Sequence, residues 1–339
     1  MYEICLLEPL LDQPRTRNTG MLLTFGTSSL WCLCMCCYVQ ILRIAPGSPK
    51  KTNDYAFGKD DDLSPQLISV CQENGTPRFC KMCKTFKPER SHHCRVCNTC
   101  VLKMDHHCSW INGCVGYKNH KIFLLFLFYT MIYVVWLFYN SMCLVLETVN
   151  VKPYSTSLKF IWTMYKVYFV TLWKILWNMW QSAWTRSWVP LLTGTPTLNM
   201  SIKFQIIIML YLTFLFGVFL FGLTVIQLYL ILHNRTTLEH IATHEQYIQL
   251  SILNTNTANI NDDIKQNNSE VICLFPPEKR LYDIGLWNNW KLVMGNQWYL
   301  WLVPIQPPHL FNNDGYAFPY GDQAYRRIFK EASSTSSLQ

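Results

Sequence analysis

Between Cys80 and Cys114 one ligand pattern, C-x2-C-x9-H-x6-C, occurs twice and interleaved. The first set is Cys80, Cys83, His93 and Cys100; the second, fourteen residues on, is Cys94, Cys97, His107 and Cys114. Three thiolates and an imidazole are the N/S set that a tetrahedral zinc ion takes, and a C-x2-C start lets one tight turn present two sulfurs to one ion. The pattern predicts two zinc sites. Cys97 and Cys100 also stand in C-x2-C spacing, so another partition stays open; the fourteen-residue repeat favours the first. Disulfides are the competing use of these cysteines, but the segment has no secretory context and is rich in Lys and Arg.

His92-His93-Cys94 recurs as His106-His107-Cys108, yet position 111 is Ile, so Cys108 lacks a companion three residues later. Cys108 is left outside both sets, with His106 unassigned and Asp105 in front. A thiol beside a His that takes its proton, with an Asp to orient that His, has the parts of an activated nucleophile. Nearby metal and positive charge favour its thiolate.

These residues must be positioned by elements of an unusual kind. Half of the 339 residues are apolar, and they sit in blocks: 21–42, 122–146 and 204–232 contain no Asp, Glu, Lys, Arg or His. Each block exceeds the ~20 residues a helix needs to cross a bilayer. Buried helices of a soluble protein seldom run so long without charge, and the first block follows a polar stretch and lacks a cleavage site, so it reads as an anchor and not a signal peptide. The expected architecture is an all-α polytopic membrane protein with a small cytosolic two-zinc cysteine-rich domain between transmembrane helices and a short cytosolic C-terminal domain.

The formal charge of +8 is concentrated usefully, since residues 43–121 hold thirteen Lys/Arg against seven Asp/Glu. The positive-inside rule places that loop, and by parity residues 233–339, in the cytosol. Basic residues with zinc also suit nucleic acid, but three spans tie the loop to a membrane, so no nucleic-acid partner is expected. Residues 1–20 form a polar N-terminus. Residues 147–203 form a lumenal loop whose Trp162, Trp173, Trp177, Trp180 and Trp184 share a helical face with Lys166, as in a helix lying in the interface. Asn254 to Asn268 reads as a flexible linker and Ser333 to Gln339 as a disordered terminus. Leu281 to Ile305 reads as a small aromatic domain docked on the zinc region or the membrane face. Cys32, Cys34, Cys36 and Cys37 in the first span suit helix packing, with acylation second.

The second span begins at Ile122, so Cys108 is placed at the cytosolic membrane face, where a fatty thioester keeps its tail in lipid and its head in water. Asp105-His106-His107-Cys108 in a cysteine-rich loop between spans resembles the DHHC family of protein S-palmitoyltransferases. The likeness runs from Phe79 to Phe123, with Lys87, Pro88, Arg90, Trp110, Gly116 and Asn119 at the family's spacing. It extends to Thr236-Thr237-Leu238-Glu239, which resembles the TTxE motif, and to Tyr282-Asp283-Ile284-Gly285, Asn289-Trp290 and Gly295, which resemble the C-terminal aromatic motif. The run through Trp298, Trp301 and Pro304 is most similar to the fungal vacuolar-membrane branch.

The resemblance implies a two-step exchange. Cys108 takes the acyl group of a long-chain acyl-CoA, with His106 as base and Asp105 holding the imidazole, and passes it to cytosolic cysteines of membrane-associated proteins. It further implies that Thr237 bonds near Asp105, that Thr236 and Glu239 complete the supporting motif, and that Asn289 braces the C-terminal motif against the spans. Lys87, Arg90 and His92 would meet CoA phosphates or form an ordinary solvated basic face. Trp110 belongs to the donor site, and Tyr133 would close the acyl cavity or simply pack. Residence is expected in an endomembrane, the vacuole first, with Golgi or ER as alternatives.

Family members usually have four spans with both termini cytosolic, whereas one span precedes the zinc loop here. Counting crossings puts the N-terminus in the lumen, so either a first helix is missing from the sequence or the architecture is shorter. Ser109 stands where Pro is usual, Gly113 where Asn is usual, and Ala45-Pro46-Gly47 replaces Asp-Pro-Gly. A different class, a non-catalytic membrane-anchored zinc scaffold or ubiquitin-ligase-like module, would make Cys108 dispensable; its ligand spacing would differ and it would leave the Asp105-His106 pair without a purpose.

Overall fold

The computed structural model describes residues 17–49, 68–148, 173, 177, 180, 198–242, 246–253, 268–275, 280–312 and 314–336. They fall into two compact units, Met1–Cys34 with Leu127–Leu223 and Met35–Phe126 with Thr224–Gln339.

Three long helices carry the apolar blocks: α1 (Arg17–Arg43), α2 (His120–Thr148) and α3 (Leu198–Leu232). Within them Met21–Arg43, His120–Cys143 and Ile207–Leu232 are long and apolar enough to cross a membrane. In the first unit the helices meet at small and polar residues, as membrane helices do. The indole of Trp136 lies over Gly26, where an added Cβ would come within 3.1 Å of the ring, and its Nε1 donates to Thr27 Oγ1 at 3.0 Å. Of the aromatic stretch before α3, Trp173, Trp177 and Trp180 are described; they are helical and exposed, with successive ring centroids 6.4 and 5.3 Å apart.

The second unit is not all helix. Between α1 and α2 the chain forms a short strand β1 (Ile68–Cys71) and then three successive hairpins. These are β2 (Phe79–Cys80) with β3 (Thr85–Phe86), β4 (His92–Cys94) with β5 (Thr99–Val101), and β6 (His106–Cys108) with β7 (Gly113–Val115). The all-α expectation therefore holds for the spans alone. The physical reason lies in the ligand spacing: His93 and Cys100, like His107 and Cys114, stand opposite each other across a hairpin, so the six-residue spacing brings imidazole and thiol together only when these segments pair as strands. Each turn closes through a left-handed residue four positions after its first Cys, namely Lys84, Asn98 and Asn112 at φ 52°, 50° and 45°.

After α3 come α4 (Thr237–Ile241), β8 (Gln246–Leu253) and β9 (Asn268–Phe275). Strands β1, β8 and β9 make one antiparallel sheet in the order β1-β8-β9. Sequence reading found neither this sheet nor its central strand. Asn268, expected at the end of a linker, opens β9; positions 254–267 lie outside the described residues. Helices α5 (Leu286–Met294), α6 (His309–Asn312) and α7 (Asp322–Ser336) complete the unit. Residues 333–336, expected to be disordered, are the last turn of α7. A core of Leu102, Tyr117, Ile248, Phe275, Tyr282, Phe318 and Ile328 joins the hairpins, the sheet and α7.

The hairpins are held against the start of α2 by a close backbone crossing at Gly116. A Cβ there would come within 2.6 Å of Val101 and 2.9 Å of the Leu102 carbonyl. Asn119 then clamps the turn, donating to the Cys114 carbonyl at 3.0 Å and accepting from the Gly116 N–H at 2.8 Å.

Candidate active site

Two clusters of ligand atoms form, each with all four atoms within 4.8 Å of one another: Cys80, Cys83, His93 and Cys100, and Cys94, Cys97, His107 and Cys114. The first takes its C-x2-C pair from the turn of one hairpin and the cross-strand pair His93–Cys100 from the next; the second repeats this one hairpin on, with the pair His107–Cys114. Cys97 and Cys100 fall in different clusters. His93 Nδ1 lies 3.6, 3.2 and 3.9 Å from the sulfurs of Cys80, Cys83 and Cys100. His107 Nδ1 lies 3.6, 3.4 and 3.7 Å from those of Cys94, Cys97 and Cys114. A tetrahedron with metal bonds of about 2.0–2.3 Å has edges of roughly 3.6 Å, so both sets fit one zinc ion each. None of these sulfurs is in a disulfide.

Cys108 stands at the same point of the third hairpin that Cys80 and Cys94 hold in the first two, and it belongs to neither cluster. It is buried. Burial disfavours its thiolate, but His106 and the backbone N–H groups of Ile111 and Trp110 outweigh burial and lower the thiol pKa. Gly113, opposite Cys108 in the register, leaves the space on that side open: an added Cβ would meet only the Ile111 carbonyl, at 3.6 Å.

Behind Cys108 is a chain of hydrogen bonds. His106 Nδ1 is 2.7 Å from Asp105 Oδ2. Asp105 is fully buried and accepts from the Thr237 N–H at 2.8 Å, the Thr237 hydroxyl at 2.8 Å and Gln227 Nε2 at 3.1 Å. Burial alone would raise the Asp105 carboxyl; the His106 hydrogen bond and the Thr237 N–H hold it well below the usual carboxylate range. Burial likewise opposes charge on His106, yet its bonds with Asp105 and Cys108 push its pKa up to about 9. Both effects favour an imidazolium beside a thiolate. The ring of Phe123 packs edge-on against His106 with centroids 5.3 Å apart.

Thr237 reaches Asp105 because α4 starts with a capping box: Thr236 accepts from the Glu239 N–H, and Glu239 accepts from the Thr236 N–H. Glu239 is fixed in turn by Arg90, whose Nε and Nη2 contact its two oxygens at 2.7 Å. Arg90 also donates to the Asn234 side chain and carbonyl at 2.9 and 2.8 Å and lies 4.3 Å over the Tyr282 ring. Asn289 donates to the Leu232 carbonyl at the end of α3 and to Asp283, both at 2.7 Å.

Of the residues expected at the donor, Lys87, Arg90, His92 and Trp110 lie in the hairpin region and Tyr133 on α2. The Arg90 guanidinium is buried and enclosed by Glu239, Asn234 and Tyr282. Burial pushes the His92 pKa down to about 4. Lys87 is half-buried after β3, and Trp110, two residues after Cys108, is exposed. Tyr133 is half-buried on α2 in the first unit. Sequence reasoning missed Gln227, Asn234 and His120. For Gln227 the available signal was its standing as the single amide within the apolar stretch Ile207–Leu232.

A nucleophilic thiol backed by His and Asp, on the strand that carries the metal ligand His107 and in a chain with membrane-length helices, defines a membrane-bound thiol-dependent transferase. The family model described as DHHC palmitoyltransferase matches residues 73–244. Curated relatives agree: the chain is 25% identical over 328 residues to Palmitoyltransferase PFA3 of Yarrowia lipolytica, covering 91% of this chain and 69% of that protein. It is 26% identical to Palmitoyltransferase PFA3 of Kluyveromyces lactis, covering 98% and 88%. It is 30% identical to Palmitoyltransferase ZDHHC15 of Xenopus laevis, covering 73% and 51%. The chain belongs to the DHHC palmitoyltransferase family, and its activity is protein S-acyltransfer.

Proposed function

We propose that the chain carries a palmitoyl group from its CoA thioester to cysteines of membrane-associated proteins through a thioester on Cys108. The Cys108 sulfur attacks the thioester carbonyl, its proton resting on His106. The bond from carbonyl to CoA sulfur breaks, and His106 returns the proton to that sulfur. A substrate cysteine then gives its proton to His106, attacks the acyl-enzyme and releases Cys108. One thioester replaces another at each step, so positioning and proton transfer carry the catalysis. Asp105 keeps the Nδ1 proton of His106 in place, leaving Nε2 for the sulfur, and Thr237 holds Asp105.

Two zinc ions, held by Cys80, Cys83, His93 and Cys100 and by Cys94, Cys97, His107 and Cys114, would pin the hairpins in register; their chemistry is structural. Lys87 and Trp110 remain for the CoA end of the donor. The excess of Lys and Arg around the hairpins supports a cytosolic orientation, and the C-terminal aromatic run supports the vacuolar membrane as its residence. The observation that carries the reading is the Asp105–His106 contact of 2.7 Å beside the one cysteine of the third hairpin turn. Incubation of the detergent-purified protein with an alkyne-bearing palmitoyl-CoA tests it. Label removable by hydroxylamine is expected in the wild type and none in Cys108→Ser, with zinc unchanged; label persisting in the variant would overturn the reading.

A further inference from the structure

Gln227 is a buried amide in the last turns of α3, within the apolar stretch Ile207–Leu232. A buried amide requires partners at both ends. Its Nε2 donates to Asp105 Oδ2 at 3.1 Å and stands 3.4 Å from Thr237 Oγ1; its Oε1 stands 3.3 Å from His120 Nε2. The orientation has only one consistent solution. An ionised carboxylate only accepts, so nitrogen must face Asp105; the amide oxygen then faces His120, and His120 must carry its proton on Nε2. His120 Nδ1 is correspondingly the bare nitrogen, buried with no hydrogen-bond partner. His120 is thus the donor that locks the amide, and the amide is the donor that completes Asp105.

We propose that Gln227 is a positioning residue for the acyl transfer, acting through Asp105 on His106, with His120 fixing its orientation. The inference rests on the reading of Cys108 as the acyl carrier. Asp105 Oδ2 has three donors, His106 Nδ1, Thr237 Oγ1 and Gln227 Nε2. Thr237 reaches the carboxylate from α4 and Gln227 from α3, so the carboxylate plane is fixed from two elements. Without Gln227 the carboxylate can turn about the Thr237 side, and the imidazole bonded to it turns too. Outer hydrogen-bond partners of metal-bound imidazoles change affinity or activity by about 10- to 100-fold when lost, and a loss of that order is expected for a partner one step behind His106.

The test is the rate of acyl-enzyme formation against palmitoyl-CoA concentration for the full-length protein in detergent. The variants are Gln227→Met, which keeps the volume without a donor, Gln227→His, which keeps a donor, His120→Phe and Cys108→Ser. Expected for Gln227→Met is a maximal rate about 10-fold lower, an unchanged KM and two zinc ions per chain. Gln227→His should recover most of that loss. His120→Phe should lower the rate without moving KM, and it serves if Gln227→Met does not fold. A wild-type rate in both Gln227→Met and His120→Phe overturns the proposal, as does equal impairment of Gln227→Met and Gln227→His with a raised KM or lost zinc. Label in Cys108→Ser is separable from these outcomes: it removes the acyl-carrier reading itself and the proposal with it.

Discussion

The backbone N–H of Ile111 is directed at Cys108 Sγ as that of Cys83 is at Cys80 and that of Cys97 at Cys94, the latter two at 3.4 Å. The third turn thus keeps the geometry of a zinc knuckle after losing its second sulfur. Asn112 completes the likeness, taking the same left-handed conformation as Lys84 and Asn98. Each metal site borrows its cross-strand His and Cys from the following hairpin. After the third hairpin the chain enters α2 at His120, so no fourth hairpin supplies them. A fold built to stabilise thiolates for metal leaves the last one stabilised and free.

Ile111→Cys would restore the knuckle, placing a second thiol beside Cys108 with His106 at hand as a third ligand. Low micromolar zinc is expected to inhibit acyl-enzyme formation by this variant roughly tenfold or more and to spare the wild type, since three N/S ligands suffice for a bound ion with an open position. Chelator should restore the variant. Activity indifferent to both zinc and chelator would refute the knuckle description.

Asp105→Asn should be the most damaging isosteric change at the site. The carboxylate accepts from Thr237 twice, from His106 and from Gln227. An amide there turns an NH2 toward donors and lets His106 take the wrong tautomer. A loss of about 10²–10⁴ in acyl transfer is expected, with zinc content and far-ultraviolet circular dichroism unchanged. Stopped-flow or gel-based labelling measures it; a loss below threefold would mean that Asp105 does not orient His106.

Arg90 is expected to matter for stability and not for donor binding. It joins β-hairpin, capping box and C-terminal region through Glu239, Asn234 and Tyr282, and both it and Glu239 are enclosed. Removing one partner of such a buried pair costs about 3–5 kcal/mol. Arg90→Ala should lower the melting temperature sharply, Arg90→Lys should not restore it because the bidentate fork is lost, and the KM for palmitoyl-CoA of whatever remains folded should be unchanged.

The readable parts of this protein were those set by local spacing. The zinc ligands, the left-over Cys108 and the three uncharged blocks are periodic or contiguous in the chain, and each becomes one hairpin turn or one helix. What escaped was set by partners far away in sequence. Strand β8 runs Gln246–Leu253 through polar and apolar residues whose pattern means little until β1 and β9 flank it. Arg90 read as a free basic residue because its carboxylate lies 149 positions on. Gln227 was concealed inside an apolar block that also holds Gln205, where composition registers the absence of charge and overlooks an amide.

Glu89 gives a pH-dependent prediction away from the reacting groups. It is buried, Tyr320 donates to its Oε1, and the backbone N–H groups of Val70 and Phe318 are directed at the carboxyl. Burial, only partly offset by Tyr320 and Arg90, pushes its pKa up to about 7. A carboxyl whose folded pKa is raised above its ordinary 4.5 binds its proton more tightly in the folded state. Its penalty is therefore absent below that ordinary value, grows as pH rises between the two values, and is complete above the folded one. The span between them corresponds to about 3 kcal/mol. Glu89→Gln keeps an oxygen for Tyr320 and carries no charge, so it should raise the melting temperature at pH 8, by several degrees, and match the wild type near pH 4.5. Melting curves in detergent across that range decide it. A gain that is constant with pH, or a loss at pH 8, would show that Glu89 enters the folded core as a paired carboxylate instead of a neutral acid.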